Sequence, residues 1–141
     1  MQEWFARWGL LELSGLTVTV RLLLAAVCGG VLGLERTRKR RAAGLRTYML
    51  VCIGAALVML TSQYLADFFH TGDVGRMPAQ VVSGIGFLGV GTILVTRQYR
   101  VKGLTTAAGL WAAAGVGLAI GIGFYTGALI CCALLLVIML F

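Results

Sequence analysis

Four polar residues stand together just before and within an apolar stretch in the second half of the chain. Asp73 and Arg76 precede the stretch, and Gln80 and Ser83 continue into it at intervals of three or four residues. Residues at this spacing share one face of a helix. Carboxylate, amide and hydroxyl oxygens suit a hard cation such as Mg²⁺. The pattern therefore predicts a polar path with Asp73 as a candidate metal ligand at its mouth. The alternative is that Asp73 only places an acid at the positive end of the helix dipole.

A second group of charged residues lies in two loops between apolar stretches, at residues 35–46 and 97–103. Its one acidic residue is Glu35, which stands beside Arg36 and is followed by a run of basic residues, RTRKRR at 36–41. We expect a charge network that holds helix ends together, with Glu35 facing Arg38, Arg46 or Lys102. The predicted network consists of Glu35, Arg36, Arg46 and Lys102. The basic run could also bind anionic lipid headgroups, although a role in membrane orientation alone explains it.

No arrangement typical of an enzyme is present in the sequence. The glycines at 84, 86 and 89 match the spacing of a dinucleotide-binding loop, but they lie inside an apolar stretch rather than after a strand. The four cysteines also lie in apolar runs and have no histidine at metal-ligand spacing. We therefore expect no catalytic residue and no cofactor, with Mg²⁺ as a possible ligand or substrate.

The composition places the chain in a membrane. Of its 141 residues, 60% are hydrophobic and 12% are charged, whereas soluble domains carry about 25% charged residues. Segments of about 20 apolar residues are long enough to cross a bilayer. We predict an all-α bundle of five transmembrane helices in a single domain, 1–141, with a short interfacial helix at residues 2–13. The predicted spans are 16–34, 47–66, 80–96, 104–121 and 124–141.

The distribution of basic residues predicts the orientation. Loops 35–46 and 97–103 hold nine of the twelve basic residues, and loop 67–79 holds only Arg76. By the positive-inside rule the N-terminus lies outside and the C-terminus lies in the cytoplasm. The net charge of +7 is thus explained by these loops, and we do not expect nucleic acid as a partner.

Small residues predict which helices pack closely. On the third predicted helix, Gly84 and Gly91 share one face, and Gly86 and Gly89 lie on the opposite side. We expect this helix at the centre of the bundle, with the Ala- and Gly-rich fourth helix beside it and the fifth at the periphery. These glycines, or the surface of the fourth helix, would also suit contact with a second copy, so a homo-oligomer such as a dimer is expected.

Three sequence motifs together resemble a known family. The run DVGRMPAQVVSGIGFLGVG at 73–91 resembles the signature of the MgtC/SapB family. The segments LER at 34–36 with AGLRT at 43–47, and VKGLTTAA at 101–108, are similar to its two cytoplasmic loops. The resemblance covers about residues 20–125 in order.

The resemblance implies a multi-pass protein of the bacterial inner membrane linked to magnesium limitation, acid stress and virulence. Asp73 matches an acidic residue considered important in the family. Many members carry a C-terminal domain resembling an ACT fold. This chain ends at Phe141, directly after the fifth predicted helix, so we expect only the N-terminal transmembrane domain.

Two functional hypotheses follow. The first, implied by the resemblance, is a regulator of membrane complexes such as the F-type ATP synthase. The second is a transporter or channel for Mg²⁺ or protons along Asp73, Gln80 and Ser83. Transport would require a homo-oligomer, because five helices offer too little room for a pathway.

Overall fold

A computed structural model describes residues 13–70, 73–95 and 101–141, and this part of the chain folds into five α-helices joined by short loops. The helices are α1 (Gly15–Arg38), α2 (Leu45–Phe69), α3 (Arg76–Thr92), α4 (Leu104–Gly121) and α5 (Tyr125–Leu140). Two short strands between α3 and α4, β1 (Leu94–Val95) and β2 (Val101–Lys102), pair antiparallel. The prediction of an all-helical fold with five helices is confirmed. The predicted interfacial helix lies outside the described residues, apart from Leu13.

Three of the described helices have the length and composition needed to cross a membrane. They are α1, α2 and α4, with 24, 25 and 18 residues. Helix α5 is apolar but has 16 residues, and α3 has 17. Helix α3 begins four residues before its predicted start. It accommodates Pro78 because this residue lies in the first turn, where a helix does not need the backbone N–H that proline lacks.

Glycines bring α1 and α2 together as an antiparallel pair. A Cβ atom at Gly29 would lie 2.5 Å from the carbonyl oxygen of Tyr48, and one at Gly33 would lie 2.7 Å from the Cα of Leu45. No larger residue permits this approach without moving the backbone. The start of α1 is fixed by Ser14, whose hydroxyl accepts a hydrogen bond from the backbone N–H of Thr17 at 3.2 Å.

Helix α4 is the centre of the bundle and packs against all four other described helices. The glycines on its surface meet α2, since added Cβ atoms at Gly117 and Gly121 would collide with the backbone of Cys52 and Ala56. The prediction that the third helix occupies the centre is therefore wrong. Alanine and glycine on nearly every face of α4 let several neighbours approach at once, whereas α3 uses its small residues on one side only.

Helix α3 lies at the edge of the bundle. Its buried residues are Pro78, Ile85 and Gly89, which recur every four to seven residues and form a single stripe against α2 and α4. Helix α5 is also peripheral, and the exposed residues of its second half include Leu134, Val137 and Ile138, as its apolar sequence predicts.

Candidate functional site

The outer face of α3 is a row of polar and small residues with one phenylalanine among them, and no other described part of the chain covers it. It consists of Gln80, Ser83, Gly84, Phe87 and Gly91, all of which are exposed. Phe87, in the middle of the row, is 83% exposed. The sequence spacing correctly predicts that these residues share one face, and the structure adds that this face points away from the bundle.

The predicted polar path lies on the surface of the molecule. Asp73 and Arg76, which precede the outer face of α3, are exposed and form no ion pair with each other among the described residues. The hydroxyl of Ser83 donates to carbonyl oxygens of its own helix, at 3.3 Å to Ala79 and 3.2 Å to Gln80. Among the described residues of one chain, these groups therefore border no internal route.

A metal site at Asp73 would need ligands from elsewhere. In the described ranges no group of three or more histidine, cysteine, aspartate or glutamate side chains is arranged to hold a metal ion. Asp73 supplies one exposed carboxylate, which suits a hydrated Mg²⁺ ion that keeps most of its waters.

The four glycines predicted to pack helices divide into two groups. A Cβ atom at Gly89 would lie 3.4 Å from the Cβ of Ala107, so this glycine marks the contact between α3 and α4. Cβ atoms at Gly84, Gly86 and Gly91 would meet no other atom within 4 Å. Only Gly89 thus packs inside the molecule, and the other three leave open space on the surface of α3.

The second charged group lies at the end of the bundle where α1 and α5 end and α2 and α4 begin, here called the basic end. Glu35 is buried and forms ion pairs with Arg36 and with Lys39, whose Nζ lies 3.0 Å from Glu35 Oε1. Arg36 Nη2 donates to the carbonyl oxygen of Met139 at 2.7 Å, and Lys39 Nζ donates to those of Met139 and Leu140, both at 2.9 Å. These cations bind the last carbonyls of α5, where the helix dipole is negative.

The other predicted members of this network do not join it. Arg46 and Lys102 are exposed and form no ion pair in the described part of the chain. Glu35 instead pairs with its neighbour Arg36 and with Lys39, which stands one helical turn later on the same face. The network joins the end of α1 to the end of α5, and the partners of Glu35 are nearer in sequence than those predicted.

A polar cluster around Arg21, whose partners the sequence does not indicate, lies inside the opposite end of the bundle. Arg21 is 0% exposed, and its guanidinium donates to Tyr125 Oη at 3.0 Å, to Gln63 Oε1 at 2.9 Å and to the carbonyl oxygen of Gly121 at 2.7 Å. The charge of Arg21 within an apolar run was the available signal. Its partners are 42 to 104 residues away, so no local pattern marks them.

Several known proteins resemble the chain along more than half of its length. The candidate magnesium transporter YhiD of Escherichia coli strain K12 is 49% identical over 94 residues, covering 63% of this chain and 43% of that protein. The protein MgtC of Salmonella typhimurium strain LT2 is 45% identical over 89 residues, covering 63% of this chain and 36% of that protein. The protein slr0014 of Synechocystis is 52% identical over 89 residues, with the same coverage. The chain spans less than half of the length of these relatives.

No solved structure is significantly similar to the chain. The model of the MgtC family matches residues 22–141, a range that holds most of α1 and all of α2 to α5. It includes both the outer face of α3 and the charged residues of the basic end. Because this match covers well over half of the sequence, the chain belongs to the MgtC family.

Proposed function

We propose that this protein is a non-enzymatic regulator of membrane complexes, and that the outer face of α3 is the surface through which it binds them. The observation that carries the proposal is that Gln80, Ser83, Gly84 and Gly91 lie in one uncovered row on a helix of an apolar bundle. Contact of this row with lipid is unfavourable, because polar side chains are costly to place in the hydrocarbon core of a membrane. A second helix would cover it.

Membrane helices associate through this kind of surface. Small residues let two backbones approach, and amide or hydroxyl side chains form hydrogen bonds across the contact. The open space beside Gly84 and Gly91 would accept side chains of a partner helix, and Phe87 between them would insert into that partner. The partner is a second copy of the chain or a complex such as the F-type ATP synthase, which the family resemblance suggests.

Regulation of membrane complexes requires that the protein itself lies in the membrane. We propose that all five helices cross the bacterial inner membrane, with the N-terminus outside and the basic end in the cytoplasm, in keeping with the positive-inside rule. A role in magnesium limitation, acid stress or virulence is supported by family membership. The name of the relative YhiD also connects that protein to magnesium.

Transport of Mg²⁺ or protons is the second candidate. Asp73 and Gln80 place oxygen ligands along one face, which favours it. In a single chain this face is on the outside, so a pathway would have to form between copies, with the outer faces of α3 turned towards each other.

Photo-crosslinking in membranes tests the proposed contact. A photoreactive phenylalanine analogue at position 87 should give a covalent adduct with a second copy or with an ATP synthase subunit. The same analogue at Leu134, which is exposed on α5, should give neither. Replacing Gly84 and Gly91 with leucine should abolish the adduct because the added side chains fill the space that the partner needs.

The matched control for that double variant is Gly115→Leu, since Gly115 lies on α4 with nothing within 4 Å of an added Cβ. The proposal is contradicted if the adduct at position 87 still forms in the variant with leucine at positions 84 and 91 but is lost in Gly115→Leu. That result would place the contact on α4. Flux in liposomes separates the second candidate: Mg²⁺ or proton flux that Asp73→Asn abolishes would establish transport.

A further inference from the structure

A cavity of about 350 Å³ opens at the basic end, between the loop that joins α1 to α2 and the start of α4. Its wall carries three basic side chains from two separate parts of the chain, Arg40 and Arg41 from the loop and Lys102 from β2. It also carries the hydroxyl-bearing residues Thr105 and Thr106. The cavity is separate from the outer face of α3 on which the proposed function rests.

No carboxylate in the described part of the chain neutralises the three cations. None forms an ion pair in the described part of the chain. Glu35, the acidic residue of the described basic end, is already bound to Arg36 and Lys39. No acidic residue lines the cavity. Like charges held around one space repel each other, and an anion between them removes that repulsion.

Neutral hydrogen-bond donors reach the same space. Helix α4 begins beside the cavity, and no side chain caps its first turn, which follows Gly103. The first backbone N–H groups of a helix have no partner within it and point towards an anion. Thr106 is only 3% exposed, and its hydroxyl makes no hydrogen bond to any described residue. Because Thr106 lines the cavity, this hydroxyl can donate to a ligand bound there.

The turn after α1 directs the two arginines into place. Arg40 adopts the left-handed conformation with φ 49°. Its N–H donates to the carbonyl oxygen of Thr37 at 3.0 Å, and that of Arg41 donates to Arg36 at 3.0 Å. This pair of hydrogen bonds ends a helix in the Schellman manner, which usually employs glycine at the position of Arg40.

We infer that this cavity binds a phosphoryl group. Guanidinium groups pair with two phosphate oxygens at once, a lysine adds a point charge, and the helix start with Thr106 supplies neutral donors for the remaining oxygens. The group belongs either to the headgroup of an anionic lipid or to a free phosphate compound. Membrane orientation requires only the positive charges, whereas the cavity, the uncapped helix and the Thr106 hydroxyl on the cavity wall are features of a binding site.

Binding can be measured on the purified full chain in phosphatidylcholine nanodiscs. One arm adds inorganic phosphate, and the other raises the fraction of phosphatidylglycerol; in both, the thermal unfolding midpoint reports occupancy. We expect saturable stabilisation in at least one arm. Lys102→Gln should raise the half-saturating concentration about tenfold or more, because a charge-assisted hydrogen bond is lost.

Two further variants make the test specific. Thr106→Val preserves shape and charge and should raise the half-saturating concentration about threefold to tenfold, since it removes one neutral donor. Arg46→Gln removes a charge at the same end but outside the cavity and should change it by less than about twofold. Response in the phosphate arm alone identifies a free ligand, and response in the lipid arm alone identifies a headgroup. No saturation in either arm, or equal losses with Arg46→Gln and Lys102→Gln, would overturn the inference.

Discussion

Arg21 and Arg36 are both buried, and both use the carboxyl end of a helix as a counter-charge. The guanidinium of Arg21 binds the carbonyl oxygen of Gly121, where α4 ends, and that of Arg36 binds the carbonyl oxygen of Met139, where α5 ends. The last carbonyls of a helix lack partners and carry the negative end of its dipole. A bundle with few acidic residues can in this way keep cations inside and terminate its helices at the same time.

Replacing Arg21 with methionine should destabilise the protein without changing the volume of the side chain much. The buried carbonyl oxygen of Gly121 and the part-buried Oε1 of Gln63 would each lose a hydrogen-bond donor, and a fully buried acceptor left without one costs about 1–3 kcal/mol. We expect the free energy of unfolding, measured by denaturant titration in detergent with circular dichroism, to fall by about 2–5 kcal/mol. Arg46→Met, at an exposed position on α2, should change it by about 0.5 kcal/mol or less. An equal effect at both positions would contradict this account.

At the scale of the elements, the contacts that hold α1, α2 and α4 together depend on glycine. Gly29 and Gly33 admit α2 to the surface of α1, and Gly117 and Gly121 admit it to the surface of α4. Helix α2 is thus in close backbone contact with α1 on one side and with α4 on another. Glycines that face open space, such as Gly54 on α2, have no such role.

Gly29→Ala should therefore separate α1 from α2. The added methyl group would lie 2.5 Å from the carbonyl oxygen of Tyr48, and overpacking of this kind costs about 1–3 kcal/mol. Gly54→Ala should leave the free energy of unfolding unchanged or raise it by up to about 1 kcal/mol, because alanine favours the helix. Denaturant titration of the two variants side by side gives the comparison, and a neutral Gly29→Ala would show that the contact is looser than described.

The sequence predicts where the helices of this protein lie along the chain better than it predicts which helices pack against each other. Long apolar runs identify each helix because span length depends on local composition alone. Small residues on several faces mark both α3 and α4, and nothing local decides which of them becomes central. The same limit applies to the site: the spacing of Gln80, Ser83 and Phe87 predicts one face, but whether that face turns inwards depends on packing by α2 and α4. Arg21 meets Gln63 and Tyr125 only through tertiary structure.

At the scale of the whole molecule, the two ends differ in charge. The basic end carries the loop from Lys39 to Ala42 and the strand β2, whereas the opposite end carries Asp67, His70 and Asp73. This asymmetry is the basis of the proposed orientation, since positive charge accumulates on the cytoplasmic side of membrane proteins.

Labelling of single cysteines tests the orientation in intact cells. In a background without the four native cysteines, His70→Cys should react with a membrane-impermeant maleimide added outside. Ala42→Cys, which leaves the basic residues in place, should react only after permeabilisation. Both positions are exposed, so access to reagent is not limited by the fold. Leu134→Cys, at an exposed position on α5 that lies within the bilayer in the proposed arrangement, serves as the unreactive control. The opposite pattern at positions 42 and 70 would reverse the proposed orientation.

The unequal helix lengths have a consequence for the surrounding bilayer. At 1.5 Å per residue, α1 and α2 are about 36 and 38 Å long, and α3 and α5 are about 26 and 24 Å long. The hydrocarbon core of a bilayer is about 30 Å thick, so α1 and α2 are longer than this thickness and α3 and α5 are shorter than it. On the proposed spanning arrangement, the long pair tilts or projects into the headgroups, while the lipid beside α3 and α5 thins to match them. The outer face of α3 borders this thinned lipid. A neighbouring protein with similarly short helices would therefore lower the free-energy cost of the hydrophobic mismatch by binding there.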